Sequence, residues 1–319
     1  MNVAAQAGPM TAVRVLAPGK VNLALSVGRR QDDGYHPLAT VFQAVSLYEE
    51  VVATASDGLS VTVTGMQAAG VPQGAENLAA KAAQLLADRA GVAADVHLHV
   101  HKGVPVAGGM AGGSADAAAA LLACDQLWGT GLSRAELAEL AAALGSDVPF
   151  ALHGQTAVGR GRGHLLSPVL ARGEYHWALG VSRAGLATPQ VFATFDELLG
   201  DAAPDEPEVD PALMRALRSG DAAELGAVLS NDLQPAALEL APELAEALSV
   251  AQDAGALGVV LSGSGPTVAA LARSRQHARG IGAALVAAGV ADEVLQAAGP
   301  VPGARVVSEV DGAGFPDWA

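Results

Sequence analysis

Four glycines fall between residues 108 and 113 of the stretch Val104-Pro-Val-Ala-Gly-Gly-Met-Ala-Gly-Gly-Ser-Ala-Asp-Ala-Ala118. Ahead of it Val96, Leu98 and Val100 alternate with His97, His99 and His101, the period-two pattern of a strand. Behind it Ser114 followed by Ala115 to Leu122 predicts a capped helix start. The chain is thereby committed to a strand, a tight turn and a helix in succession. Glycines at 108, 109, 112 and 113 can take positive φ and let backbone N–H groups approach an anion. The first turn of the helix adds unpaired donors and the positive end of its dipole.

This anion cradle is not a Walker loop, because it lacks the G-K-[ST] ending that puts a lysine on the helix. It is not G-x-G-x-x-G either, since Val106 stands where the first glycine is needed. A second glycine cluster, Gly159-Arg-Gly-Arg-Gly163, fails the same test, with His164 and Leu166 where the third glycine would fall. A plain connecting loop before a helix is the alternative reading of the first cluster.

At 319 residues the chain has the size of two ordinary domains with a cleft between them. Hydrophobic content of 51% with 3% aromatics calls for a core of alanine, valine and leucine. A formal charge of −15 opposes nonspecific binding to nucleic acid or anionic membrane, which needs a basic surface. The single Cys124 excludes a disulfide framework and reads as a buried thiol in a reducing compartment. With no leader pattern at the N-terminus and no membrane-length apolar run, the expected location is the cytoplasm.

Val13 to Leu16 and Val21 to Val27 read as strand segments separated by Ala17-Pro-Gly-Lys20, with Lys20 and Asn22 on one face of the second. Asp32-Asp-Gly-Tyr-His-Pro37 is a turn by composition, Leu59 to Thr64 a strand, and Asn77 to Ala90 a helix closed by Gly91. Ser133-Arg-Ala-Glu136 is a capping box for a helix ending at Leu144-Gly145. The second half alternates strands near 177–181, 259–261 and 267–271 with helices near 189–199, 242–254 and 275–288, an α+β pattern. Between them the acidic, proline-rich segment 200–211 reads as a solvated loop.

Asp147 stands between a helix-ending glycine and the apolar Val148, Pro149 and Phe150. It is either a helix N-cap or a carboxylate in a partly dry pocket, kept ionised by a cation such as Lys20 and able to accept a proton. His97, His99 and His101 share a strand face, but the spacing of same-face residues is too wide for the outer pair to ligate one ion, so a solvated face is expected. Ser262-Gly-Ser-Gly-Pro-Thr267 is a further glycine turn between two predicted strands.

Taken in order, Ala17-Pro-Gly-Lys-Val-Asn22, the loop from Pro105 to Ala118 and Ser262 to Thr267 resemble the three motifs of the GHMP kinase superfamily, named for galactokinase, homoserine kinase, mevalonate kinase and phosphomevalonate kinase. The resemblance runs from about Leu16 to Leu271. Narrower marks are Lys20-Val-Asn-Leu23, Asp33-Gly-Tyr-His36, Asn77-Leu78, Leu144-Gly-Ser-Asp-Val-Pro149 and Thr188-Pro-Gln-Val-Phe192. They are similar to the branch that acts on a cytidine diphosphate ester of methylerythritol in the non-mevalonate isoprenoid precursor pathway.

The resemblance implies a two-domain α/β (α+β) protein. Residues 1–165 would form an ATP-binding domain of ribosomal-protein-S5 type, and residues 166–319 a ferredoxin-like domain completing the substrate cleft. It implies ATP as phosphoryl donor with Mg²⁺, its phosphates on Pro105, Val106, Ala107, Gly108, Gly109, Met110, Ala111, Gly112, Gly113 and Ser114. Asn77 would lie near the nucleotide and Gly263, Ser264 and Gly265 would brace the loop. Mg²⁺ would be carried by ATP, with Ser114 as a hydroxyl it could meet. Asp147 would be the base for the substrate's 2-hydroxyl, oriented by Lys20, with Asn22 on the erythritol hydroxyls and Thr188 also on the substrate. Cytosine would stack between Tyr35 and Phe192, with His36 reading its polar edge. No nucleic-acid, membrane or obligatory protein partner is expected. A mevalonate- or homoserine-type kinase of the same superfamily and a nucleotide-binding sensor without catalysis stay open as alternatives. Ala111 and Ala115 depart from the more usual glycine and serine of the loop, and Asp116 adds a charge that could cap the helix or hold a metal-bound water.

Overall fold

The computed structural model describes residues 12–182 and 185–307; the N-terminal stretch read for a leader pattern lies outside them. The chain runs β1 (Ala12–Val27), β2 (Leu38–Ala55), β3 (Ser60–Gly65), α1 (Leu78–Ala90), β4 (Val96–Lys102), α2 (Gly112–Trp128), α3 (Arg134–Leu144), α4 (Val148–His153), β5 (Thr156–Arg160) and β6 (Leu165–Pro168). It continues with β7 (Tyr175–Val181), α5 (Thr188–Leu199), α6 (Pro211–Ser219), α7 (Ala222–Gly226), β8 (Ser230–Asn231), α8 (Gln234–Leu240) and α9 (Leu244–Asp253). The last elements are β9 (Gly258–Leu261), β10 (Val268–Ala272), α10 (Arg275–Ala288), β11 (Glu293–Gly299) and β12 (Arg305–Val306).

Two sheets result. The first has the order β12-β1-β2-β4-β3, with β5 and β6 continuing from β2 and the short β8 lying parallel to β1. The second, antiparallel throughout, has the order β11-β7-β10-β9 with α10 crossing between β10 and β11, a ferredoxin-like arrangement. This is the two-domain α/β fold with α+β layering. Where the pattern predicts two strand segments, β1 is a single strand that passes through Ala17-Pro-Gly19. Register shifts interrupt its pairing with β2 at Pro18/Gly19, beside the proline that has no N–H to donate, and again at Asn22/Ala24.

Three layers of core explain the burial. One packs α1, α2 and α3 on the first sheet through Val51, Leu98, Leu86 and Leu121. Another packs α5, α8, α9 and α10 on the second sheet. Between the sheets, Val21 and Leu23 of β1 and Val41 and Val45 of β2 meet Tyr175, Trp177 and Leu179 of β7. β1 is therefore covered on both faces, and the Lys20/Asn22 face is buried rather than solvated.

Local signals hold at most ends. Asn77 caps α1 through Ala79 N at 2.8 Å and Gly91 closes it at φ 68; Ser133 and Glu136 form the capping box of α3. The start of α2 differs from the reading of Ser114 as cap. The helix begins at Gly112 after Ala111 at φ 61, no side chain caps it, and Ser114 lies inside the first turn. The N–H groups of that turn are left for another acceptor. Cys124 is buried in α2, which pushes its thiol up to about 12. The three histidines of β4 interleave with Ser60, Thr62 and Thr64 of β3, for example His97 Nδ1 with Ser60 Oγ at 2.9 Å. The acidic segment after α5 is mostly exposed, as its composition predicts, and is anchored at its start: the Pro204 carbonyl accepts from Arg29 N at 2.7 Å, and Ala203 is buried.

Candidate active site

The glycine turn is built against the rest of the molecule. Gly109 sits at φ 73, and a Cβ there would lie 2.0 Å from the Ser262 carbonyl oxygen; one on Gly108 would lie 2.8 Å from Thr267 Oγ1. The C-terminal glycine turn thus presses directly on the loop. The Gly109 carbonyl accepts from Ser262 Oγ at 3.0 Å and from Lys20 Nζ at 2.6 Å. Lys20 also donates to Asn22 Oδ1 at 2.6 Å, and Asn22 Nδ2 donates to Thr40 Oγ1 at 2.8 Å, which in turn donates to the Ala24 carbonyl. Lys20 and Asn22 are held in one orientation by this chain of bonds. Burial lowers the pKa of Lys20, and the negative charge of Asp147 works against that shift.

Asp147 occupies the N-cap position of α4, but its side chain makes no capping bond, with Pro149 near the start of the helix. The cap reading is therefore set aside, and the carboxylate lines a cavity of about 430 Å³. That cavity gathers Lys20, Asn22, Asp147, Thr188, Phe192, Gly263 and Ser264 with Pro105, Ala107, Gly108, Gly109, Ala111, Gly112, Gly113 and Ser114. Val106 and Met110 do not line it: Val106 N donates to Gln67 Oε1 at 2.7 Å, and Met110 is fully buried, its carbonyl accepting from Lys20 N at 3.1 Å. Asn77 is absent from the lining because both ends of its amide are used, one on Ala79 N and the other on the Pro72 carbonyl. Its neighbour Leu78 reaches the cavity instead, and Gly265 stays behind Ser264.

A second cavity, also about 430 Å³, adjoins the first and is lined by Arg30, Tyr35, His36, Arg162, Thr188, Phe192 and Asp196 among others. The His36 ring packs on Phe192 at 4.9 Å between centroids, and its Nε2 lies 2.7 Å from Asp196 Oδ1. Tyr35 is half-exposed, with the Arg162 guanidinium 3.5 Å over its ring. Asp196 and Arg162 escape sequence reading. One lies mid-helix among ordinary polar residues, and the other sits in the glycine cluster that fails as a dinucleotide motif.

Beneath α2 lies a buried charge cluster. Lys102 Nζ is 2.7 Å from Glu49 Oε1 and 2.5 Å from Asp116 Oδ2, and Gly103 N donates to Glu49 Oε2 at 3.0 Å. Asp116 is thus neither a helix cap nor turned to the loop. A Cβ on Gly112 would lie 2.7 Å from Glu49 Oε1, so the cluster backs the first residue of the helix. Burial and the nearby Asp116 push Glu49 up to about 8, against the pull of Lys102.

The arrangement can do a definite chemistry. An uncapped helix start of α2 and a loop with no room for a side chain at Gly108, Gly109 or Gly112 suit the phosphates of a nucleotide. A free carboxylate and a fixed ammonium on the same cavity suit proton removal from an alcohol. Among the described residues no group of three or more His, Cys, Asp or Glu could hold a metal ion, and the Ser114 hydroxyl is one of the oxygen-bearing side chains on the cavity wall, the ligand type that Mg²⁺ takes. No helix of the described residues is long and apolar enough to cross a membrane.

Comparison with known proteins agrees. The family GHMP kinases N terminal domain matches residues 77–155 and the family GHMP kinases C terminal matches residues 213–291. A 4-diphosphocytidyl-2-C-methyl-D-erythritol kinase of Thermobifida fusca (strain YX) is 54% identical over 93% of this chain and 99% of its own length. One of the same name from Streptomyces coelicolor is 53% identical over 92% and 99%. A crystal structure of 4-(cytidine 5'-diphospho)-2C-methyl-D-erythritol kinase superposes with a TM-score of 0.74 at 34% identity, over 89% of this chain and 98% of that one.

Proposed function

The chain belongs to the GHMP kinases, in the branch of the 4-diphosphocytidyl-2-C-methyl-D-erythritol kinases, and from that premise we propose how it works: it transfers the γ-phosphoryl group of ATP to the 2-hydroxyl of 4-diphosphocytidyl-2-C-methyl-D-erythritol. The observation that carries this reading is the continuity of the two cavities, one ending on Lys20, Asp147 and the glycine loop, the other on Tyr35, His36 and Phe192. A kinase for a small free alcohol has no use for the second.

In this mechanism the substrate hydroxyl lies between Asn22 and Asp147. The Asp147 carboxylate accepts its proton as the oxygen bonds to the γ-phosphorus and the bond from that phosphorus to the β-phosphate bridge breaks, releasing ADP. Lys20, fixed by Asn22 and the Gly109 carbonyl, ties the alcohol side of the site to the phosphate loop. Backbone N–H groups of the α2 start stabilise the phosphates. When bound, Mg²⁺ supplies neutralisation of phosphate charge, with Ser114 as the protein hydroxyl nearest in role. Tyr35 and Phe192 would flank the cytosine ring and His36 would face its polar edge. Phosphorus NMR of the product tests the reading. The expected outcome is ADP and one new phosphomonoester on the 2-hydroxyl; a monoester on any other hydroxyl, or none, would reject it.

A further inference from the structure

The two cavities share a neck formed by Leu38, Ser146, Arg162, Thr188 and Phe192. Arg162 is the one charged side chain of the five. It stands at the turn between β5 and β6, flanked by Gly161 at φ 65 and Gly163 at φ 98. The Gly161 carbonyl accepts from Leu38 N at 2.7 Å, so the turn is tied to the start of β2 and the guanidinium is presented from a fixed base. Arg162 Nη2 donates to Asp33 Oδ2 at 3.0 Å, and the guanidinium lies flat enough on Tyr35 to bring its carbon 3.5 Å from the ring centre. Asp33 Oδ1 in turn accepts from Tyr35 N at 2.9 Å. Arginine carries five N–H donors, and one is used here among the described residues, so the half-exposed group retains donors for a ligand.

The other cations are placed differently. Lys20 is committed to Asn22 and Gly109 at the far end of the first cavity, and Arg30 lines the second cavity alone, its Nε on the Gly34 carbonyl. A substrate with its base in one cavity and its alcohol at Asp147 must carry its linker through the neck. In a chain of net charge −15 a dianionic linker needs a local cation there. Guanidinium geometry matches phosphate oxygens in paired hydrogen bonds.

We propose that Arg162 binds the diphosphate of the substrate in the neck between the two cavities and so selects a nucleoside diphosphate ester over a nucleoside or a free alcohol. The inference rests on the cytidylyl-ester reading, and its test separates the two.

Calorimetry with cytidine and with cytidine 5'-diphosphate, in the presence of a saturating Mg²⁺ complex of a non-hydrolysable ATP analogue to occupy the glycine loop, gives the contribution of the diphosphate. Wild-type protein is expected to bind the diphosphate more tightly than the nucleoside. In Arg162→Gln that preference shrinks about 10-fold or more, while the Kd for cytidine and for the ATP analogue stays within about 2-fold. Arg162→Lys keeps the charge without the paired geometry and falls between. An unchanged preference in Arg162→Gln overturns the proposal and leaves the substrate reading intact. So does equal weakening of both ligands, which would make Arg162 a support for the Tyr35 ring. If wild type binds neither ligand, the substrate reading itself fails and takes the proposal with it.

Discussion

Lys20 and Asn22 illustrate how much a single position carries. Both are polar and almost fully buried; Lys20 donates to Asn22 and to a carbonyl of the glycine loop, and Asn22 donates to Thr40. An unpaired ammonium at that depth would be costly, so the bonds and the Asp147 charge together make a fixed lysine tolerable. Asp147 makes no capping bond and lines the cavity. Asp147→Asn keeps the shape and removes the proposed base. Steady-state kinetics should show kcat at least ~100-fold lower, with the Kd for Mg-ATP by calorimetry within a few-fold of wild type. Near-normal turnover would reduce Asp147 to a feature of the α4 start.

At the scale of elements, the glycines of the loop divide into two kinds. Gly109 is required by packing, since a side chain there meets the Ser262 carbonyl, whereas a Cβ on Gly113 meets only Leu78 Cδ1 at 3.3 Å. Gly113→Val should therefore fold with a melting temperature near wild type and lose Mg-ATP affinity by at least ~10-fold in calorimetry, because the side chain intrudes where α2 offers its N–H groups. Unchanged affinity in a folded variant would move the phosphate site elsewhere. The charge cluster behind the same helix makes a pH prediction. Glu49 holds its proton up to about 8 in the folded chain against an ordinary value of 4.5, so between those values the folded state binds more protons than the unfolded state. Stability from this group consequently falls as pH rises across that window. Denaturant melts from pH 5 to 8.5 should show wild type losing stability relative to Glu49→Gln; parallel curves would mean that Glu49 is ionised throughout. The same cluster shows why part of the fold is hard to read from sequence. The strand–loop–helix around residue 108, the α1 and α3 caps and the strands β7, β9 and β10 of the second half follow from period, glycines and capping residues. β2 does not, although it is the longest strand. Its Gln43 and Glu49 look like surface markers but are buried with partners, Gln43 accepting from Trp177 Nε1 at 3.0 Å and Glu49 pairing with Lys102. Tertiary partners decide such positions. Likewise Lys20, Asn22, Asp147 and most of the loop can be singled out from sequence as candidates and do meet at one cavity, Asn77 stands as the cap of α1, and Arg162 and Asp196 acquire meaning from what lies beside them.

For the molecule as a whole, we propose that the boundary expected near residue 165 separates roles without separating folding units. β8 and β12 from the second half join the first sheet, and Val21, Leu23, Tyr175 and Trp177 share one core between the sheets. Scanning calorimetry should give a single cooperative transition. Trp177→Ala should destabilise it by about 3–5 kcal/mol, through the cavity and the Gln43 oxygen left unpaired, without splitting it; two separated transitions would show independent halves. In the proposed function the cleft links phosphoryl transfer to recognition of the cytidylyl ester. The most direct test of that link is the ratio of kcat/KM for the cytidylyl ester of methylerythritol to that for free methylerythritol, measured with saturating Mg-ATP. A cavity that must be filled by base and diphosphate for the alcohol to reach Asp147 predicts a ratio of at least ~1,000. A ratio near one would contradict it, leaving the second cavity without a part in catalysis.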